Sequence, residues 1–171
     1  MRGGISMASK RYAKANNPLV PGFNSSKPIT YINYLDANNL CGWAMCRALT
    51  KSGFRWKKDL PTKEEILEKE EKAETEWILE IDLEYSRELR KEHNSYPLAP
   101  EKLKVKKEWM SNYQKSLMEN LGTKALKCEK LLLTLHDKNR YVLHYCNLQF
   151  YLKQGMKLKQ VHKVLEFEQG C

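Results

Sequence analysis

Asp36 is the only acid in residues 1–58, against ten Lys and Arg. It follows the apolar run Tyr31-Ile32-Asn33-Tyr34-Leu35. A carboxylate at the end of such a run, in a basic surround, suits a hard cation such as Mg²⁺. It also suits an aspartate that forms a turn or caps a helix opening near Leu40, and the residues alone favour that plainer role. A second acidic group is Glu80, Asp82 and Glu84, which alternate along Trp77–Tyr85 and so share one strand face. That spacing could gather a metal, but such rows far more often face solvent. Cys41 and Cys46 with His136 and His144 match no zinc-site spacing and read as incidental. His162, between Lys159 and Lys163, suits a phosphate contact or plain surface. The chain has no glycine-rich phosphate loop, nucleophile elbow or Cys/His dyad signature.

These groups need elements to position them. Gly3-Gly4, Asn16-Asn17-Pro18, Pro21-Gly22 and Ser25-Ser26-Lys27-Pro28 make residues 1–28 an irregular lead-in. Its Lys10, Arg11, Tyr12 and Lys14 suit an arm along a phosphate backbone, or a floppy terminus. Tyr31–Leu35 is rich in β-formers and predicts a strand. Asp36-Ala37-Asn38-Asn39 predicts a turn. Leu40 to Leu49 has helical spacing and closes at Lys51-Ser52-Gly53. Thr62-Lys63-Glu64-Glu65 is a capping box, predicting a charged helix to about Glu74. Trp77, Leu79, Ile81, Leu83 and Tyr85 predict the buried face of a strand. A loop with two prolines covers His93–Pro100. Trp109, Tyr113, Leu117 and Leu121 predict a helix from about Val105, stopped by Gly122. Leu131–His136 and Tyr141–His144 predict a hairpin around Asp137-Lys138-Asn139-Arg140. A short helix from Asn147 to Lys153, capped by Gly155, and a final strand Lys157–Phe167 complete an α+β chain.

Charge falls in three blocks. Residues 1–58 carry net +9, residues 59–101 carry −8 and residues 102–171 carry +8, for a total of +9 over 171 residues. Two basic blocks flanking an acidic one make nucleic acid the first partner to consider, beside the plain alternative of a lysine-rich surface. At 42% hydrophobic and 30% charged, the composition argues against wholesale disorder. No apolar run is long enough for a membrane span, and the N-terminus does not read as a secretory signal. Five cysteines without regular spacing imply a reducing, intracellular compartment, nucleus or organelle included.

The stretch Tyr34-Leu35-Asp36-Ala37-Asn38-Asn39-Leu40-Cys41-Gly42-Trp43-Ala44-Met45 resembles motif A of family B DNA polymerases. It is most similar to the protein-primed branch carried by viruses, organellar plasmids and Polinton-type transposons. Arg2-Gly3-Gly4-Ile5-Ser6, Tyr96-Pro97-Leu98-Ala99-Pro100-Glu101 and Tyr141 through Val164 resemble the same branch in the same order, so the likeness spans nearly the whole chain. It implies a partial polymerase palm with inserted helices and a hairpin. Asp36 would be catalytic and, with the Ala37 carbonyl, a ligand of the Mg²⁺ pair that activates a primer 3′-OH. Ala37, Asn39, Leu40 and Cys41 would line the nucleotide, and Arg2, Gly3 and Gly4 would approach template DNA. The implied partners are a DNA primer-template, deoxynucleoside triphosphates and a terminal protein, with no membrane.

Three departures qualify the likeness. Cys41 stands where the family has the tyrosine that excludes a 2′-OH. Cys146 stands where this branch suggests arginine. The 171 residues contain no Lys…Asn-Ser…Tyr-Gly fingers motif and no Asp-Thr-Asp motif for the second carboxylate. The expectation is therefore three segments: 1–58 with the motif A strand, turn and helix; 59–101, an acidic helix and strand; and 102–171, a basic helix, hairpin and strand. Together they form a polymerase fragment that is inactive alone. The alternative is a non-catalytic DNA-binding remnant of a transposon polymerase.

Overall fold

The computed structural model describes residues 5–6, 8, 10, 12–70, 73–123 and 128–170. The chain forms two compact units, Ser6–Leu49 and Thr50–Gly170, the latter with Ile5.

The first unit is mostly loop. Asn16 organises it. Its backbone pairs with Thr30 in an isolated antiparallel bridge, and its side-chain amide donates to the carbonyls of Asn24 and Pro28, each at 3.0 Å. Asn17 is buried and donates to the Thr30 carbonyl at 3.0 Å. One short helix follows, α1 (Leu40–Met45). The predicted strand Tyr31–Leu35 does not form; those residues are irregular and exposed. β-formers make a strand only where a neighbour completes the hydrogen-bond ladder, and none of the described residues does so here. The predicted helix to Leu49 ends at Met45, and the chain turns extended within a few residues.

The second unit is built on a four-stranded sheet. Its strands are β1 (Leu49–Trp56), β2 (Thr75–Glu84), β5 (Lys138–His144) and β6 (Lys157–Gly170), in the order β1-β6-β2-β5. The helices α2 (Lys63–Glu68), α3 (Arg87–Glu92), α4 (Asn112–Asn120) and α5 (Tyr145–Lys153) intervene, and β3 (Glu101–Lys104) pairs with β4 (Glu129–Leu132) in a separate antiparallel ribbon. β2 runs antiparallel to both β5 and β6, with Ile81 opposite Tyr141 and Leu79 opposite Val164.

The alternation on β2 is realised as read. Trp77, Leu79, Ile81, Leu83 and Tyr85 are buried, while Ile78, Glu80, Asp82 and Glu84 are partly exposed. The buried face packs with Ile66 of α2, Leu89 of α3, and Tyr145 and Leu148 of α5. α5 ends as expected at Gly155, whose φ of +95° is the left-handed conformation glycine takes without strain. A β-carbon there would also come within 3.1 Å of Leu89 Cδ1.

α2 opens on its capping box, with the Thr62 hydroxyl accepting from the Glu65 N–H and the Glu65 carboxylate from the Thr62 N–H. It stops at Glu68, well short of Glu74. Lys69 is extended, and its ammonium sits 4.2 Å from the centre of the Trp77 ring. The Gln149 amide on α5 donates to the Ile66 and Lys69 carbonyls at 2.7 and 2.8 Å, closing the helix end from outside.

Two further expectations are corrected. The helix expected from Val105 begins at Asn112, where Ser111 and Gln114 form a second capping box; Lys107–Trp109 is a 3₁₀ turn. The expected hairpin does not form. Leu131 and Leu132 pair with Lys102 and Glu101 in the ribbon, whereas β5 pairs with β2. The turn residues are used in tertiary contacts instead. Asp137 accepts the Tyr85 N–H at 2.8 Å, and the Lys138 side chain is fully buried. Lys138 Nζ donates to Glu101 Oε2 at 2.7 Å, and to the hydroxyl and carbonyl of Thr134. Burial pushes the Lys138 ammonium below its ordinary pKa, against the pull of Glu101.

Candidate functional site

Asp36 and Ala37 lie in an exposed, irregular stretch that leads into a turn at Asn38-Asn39. Asn39 is left-handed, with φ 55° and ψ 42°, a conformation asparagine tolerates better than most residues. It is the N-cap of α1: its side-chain oxygen accepts the Gly42 N–H at 3.2 Å. Asn39, rather than Asp36, therefore caps the helix. The position of Gly42 follows from this contact. A β-carbon there would stand 2.5 Å from the Asn39 amide atoms, so a side chain would displace the cap. Leu40 and Cys41 form the first turn of α1, and both are exposed. Arg47 lies 4.9 Å from the centre of the Trp43 ring.

Asp36, Ala37, Asn39, Leu40 and Cys41 thus form one exposed turn and helix start within the Ser6–Leu49 unit. Arg2, Gly3 and Gly4 lie outside the described residues, as does Arg11.

The acids of β2 belong to the other unit, and each has a basic partner there. Glu80 accepts from Arg140 at 2.9 Å. Asp82 Oδ1 accepts the Arg140 backbone N–H at 2.7 Å, and Oδ2 lies 2.8 Å from His162 Nε2. Glu84 pairs with Lys159 and lies 4.0 Å from Lys157. The Arg140 N–H, and after it the His162 ring, hold the Asp82 carboxyl below its usual range. This row is an ion-paired strand face. His162 is engaged with Asp82, where the sequence had offered it to phosphate. Of the other histidines, His136 rests against the Trp109 ring at 6.1 Å and His144 Nε2 lies 2.7 Å from Glu76 Oε2.

A metal needs several converging ligands. Asp36 supplies one carboxylate and Ala37 one carbonyl. Among the described residues no group of three His, Cys, Asp or Glu is arranged to hold a metal ion. The donors present here do not by themselves complete an Mg²⁺ site.

No family model, curated protein or solved structure matches the chain. Among the described residues no helix is long and apolar enough to cross a membrane.

Strand β1 has no counterpart among the elements the sequence predicts. The sequence predicts a helix to Leu49 closed by Lys51-Ser52-Gly53, whereas Leu49–Trp56 is a strand on which Phe54 and Trp56 stand exposed. The signal was the alternation of Thr50, Ser52, Phe54 and Trp56 with Lys51, Gly53 and Arg55, a period of two. Helical spacing in the preceding residues obscured it.

Proposed function

We propose that this chain is part of a protein-primed, family B DNA polymerase and carries its motif A. One observation carries the reading: Asp36 to Met45 follows the order of that motif. The exposed carboxylate, left-handed Asn39 and tight Asn39–Gly42 contact also give these residues a coherent turn-and-helix role. The α+β fold with an antiparallel sheet is compatible with a partial palm. In the intact enzyme Asp36 and the Ala37 carbonyl would hold Mg²⁺ together with a second carboxylate, and that ion would stabilise phosphoryl transfer. Asn39, Leu40 and Cys41 would line the deoxynucleoside triphosphate. Arg2, Gly3 and Gly4, with the basic blocks, would meet primer-template DNA, and a terminal protein would be a further partner. In this reading the 171 residues alone are inactive, since they carry no Asp-Thr-Asp motif to supply the second carboxylate.

Cys41 favours a second reading, a DNA-binding remnant without catalysis, since a thiol cannot fill the space of the family's tyrosine. Sequencing the transcript downstream of Cys171 separates the two. An open frame reaching a fingers lysine motif and an Asp-Thr-Asp supports the polymerase. Stop codons directly after Cys171 overturn it in favour of the remnant. Purified residues 1–171 should not extend a primer in Mg²⁺. Template-directed extension abolished by Asp36→Ala would refute the claim that this chain is catalytically incomplete.

A further inference from the structure

β1 forms one edge of the four-stranded sheet, and all eight of its residues are exposed. Phe54 and Trp56, two positions apart, lie on one face and are 59% and 67% exposed. Two large aromatic rings therefore stand side by side and accessible on this edge. Several contacts fix them. The Phe54 ring leans on the buried Phe167 ring at 5.9 Å. Lys163 Nζ stands 6.0 Å from the centre of the Trp56 ring. The Lys57 N–H donates to the Val164 carbonyl at 2.9 Å, anchoring the strand end to β6.

The surround is cationic. Leu49 to Lys58 contains Lys51, Arg55, Lys57 and Lys58 and no acid. On adjoining β6, Glu166 is paired with Arg55 at 2.6 Å and accepts from the Trp77 indole at 2.9 Å, while exposed Glu168 accepts from the Ser52 hydroxyl at 2.9 Å and keeps its charge, so Lys51, Lys57, Lys58 and Lys163 outnumber the one unpaired acid of these two strands' facing segments. Lys51, Lys58 and Lys163 are exposed.

We propose that this edge is a stacking platform for single-stranded nucleic acid, with bases on Phe54 and Trp56 and phosphates on Lys58 and Lys163. Rings two strand residues apart are separated by about 6.6 Å. That is about twice the roughly 3.4 Å rise per nucleotide of one strand, so the rings can take splayed bases. A duplex hides its base faces and could use only the lysines. The surrounding cations favour a polyanion over an apolar protein surface. The platform belongs to the Thr50–Gly170 unit alone and does not depend on the motif A reading.

The test is fluorescence anisotropy of the full chain with labelled oligo(dT), oligo(U) and a duplex, without Mg²⁺ or nucleotide, so its outcome is independent of any polymerase chemistry. Single strands should bind more tightly than the duplex. Trp56→Ala should weaken oligo(dT) binding about tenfold and leave the duplex unaffected, while Trp56→Phe retains most of the affinity. Lys163→Gln should lower the log–log salt slope by about 0.7. Comparing oligo(dT) with oligo(U) tells DNA from RNA. Equal affinity of Trp56→Ala and wild type for oligo(dT), with the variant's circular dichroism unchanged, would overturn the proposal. So would a dimer that Trp56→Ala dissolves, which would make the edge a contact between copies. Should Trp56→Ala unfold, Phe54→Leu is read in the same way, with an unchanged affinity for oligo(dT) overturning the platform.

Discussion

Lys138 places a cationic side chain in the interior of the second unit. Its ammonium is fully buried, yet its three donors meet Glu101 and both oxygens of Thr134. Burying an ammonium is tolerable only when its hydrogen bonds are made, and removing one partner of a buried pair costs more than removing both. Lys138→Met should therefore destabilise the fold by about 2 kcal/mol in urea melts. Lys138→Met with Glu101→Leu should recover most of that loss. At the candidate site the corresponding residue is Gly42. Its contact with Asn39 makes it intolerant of a β-carbon, whereas exposed Asp36 is replaceable without cost to folding. A substitution at Asp36 therefore reports on function rather than stability.

Among the elements, β2 carries the sheet. Leu79 is fully buried on its core face, so Leu79→Ala should cost about 3 kcal/mol, measured by chemical denaturation. β2, α5 and β6 were legible in the sequence because their signals are local: a strict period of two, a run ending at Gly155, an uninterrupted strand pattern. The start of α2 was legible for the same reason, since a capping box lies within four residues. Two of the failures have non-local causes. Tyr31–Leu35 has the composition of a strand but no ladder partner among the described residues. Asp137–Arg140 has the composition of a turn, but Asp137 and Lys138 are recruited by Tyr85, Glu101 and Thr134, distant in sequence. β1 was lost because its period-two pattern follows directly on a helical one. At the candidate site the turn and helix start were legible from Asp36 to Met45. The capping role of Asn39 was not, because it depends on a left-handed backbone that a string of residue types does not reveal.

For the molecule as a whole, acid is the condition that tests its electrostatics. The Asp82 carboxyl is held low by the Arg140 N–H and His162, and that of Glu166 by the Trp77 indole and Arg55. A carboxylate whose folded pKa is depressed contributes stability that is present above its unfolded value and lost as pH falls through the folded one. The urea midpoint should therefore drop below about pH 4, and Asp82→Asn should flatten that drop. The closure of α2 has a different consequence, in time rather than energy. Six residues are too few for a helix to persist by itself. Its first turn is completed by neighbours in sequence, but its last carbonyls wait for Gln149, 83 residues beyond Ile66. During synthesis α2 leaves the ribosome with only one end secured, and it becomes a lasting helix when α5 has been made and has docked. Amide hydrogens of α2 should accordingly exchange in concert with those of α5. Gln149→Ala should speed α2 exchange severalfold while the central strand β2 stays protected, which pulsed deuterium labelling with mass spectrometry would reveal.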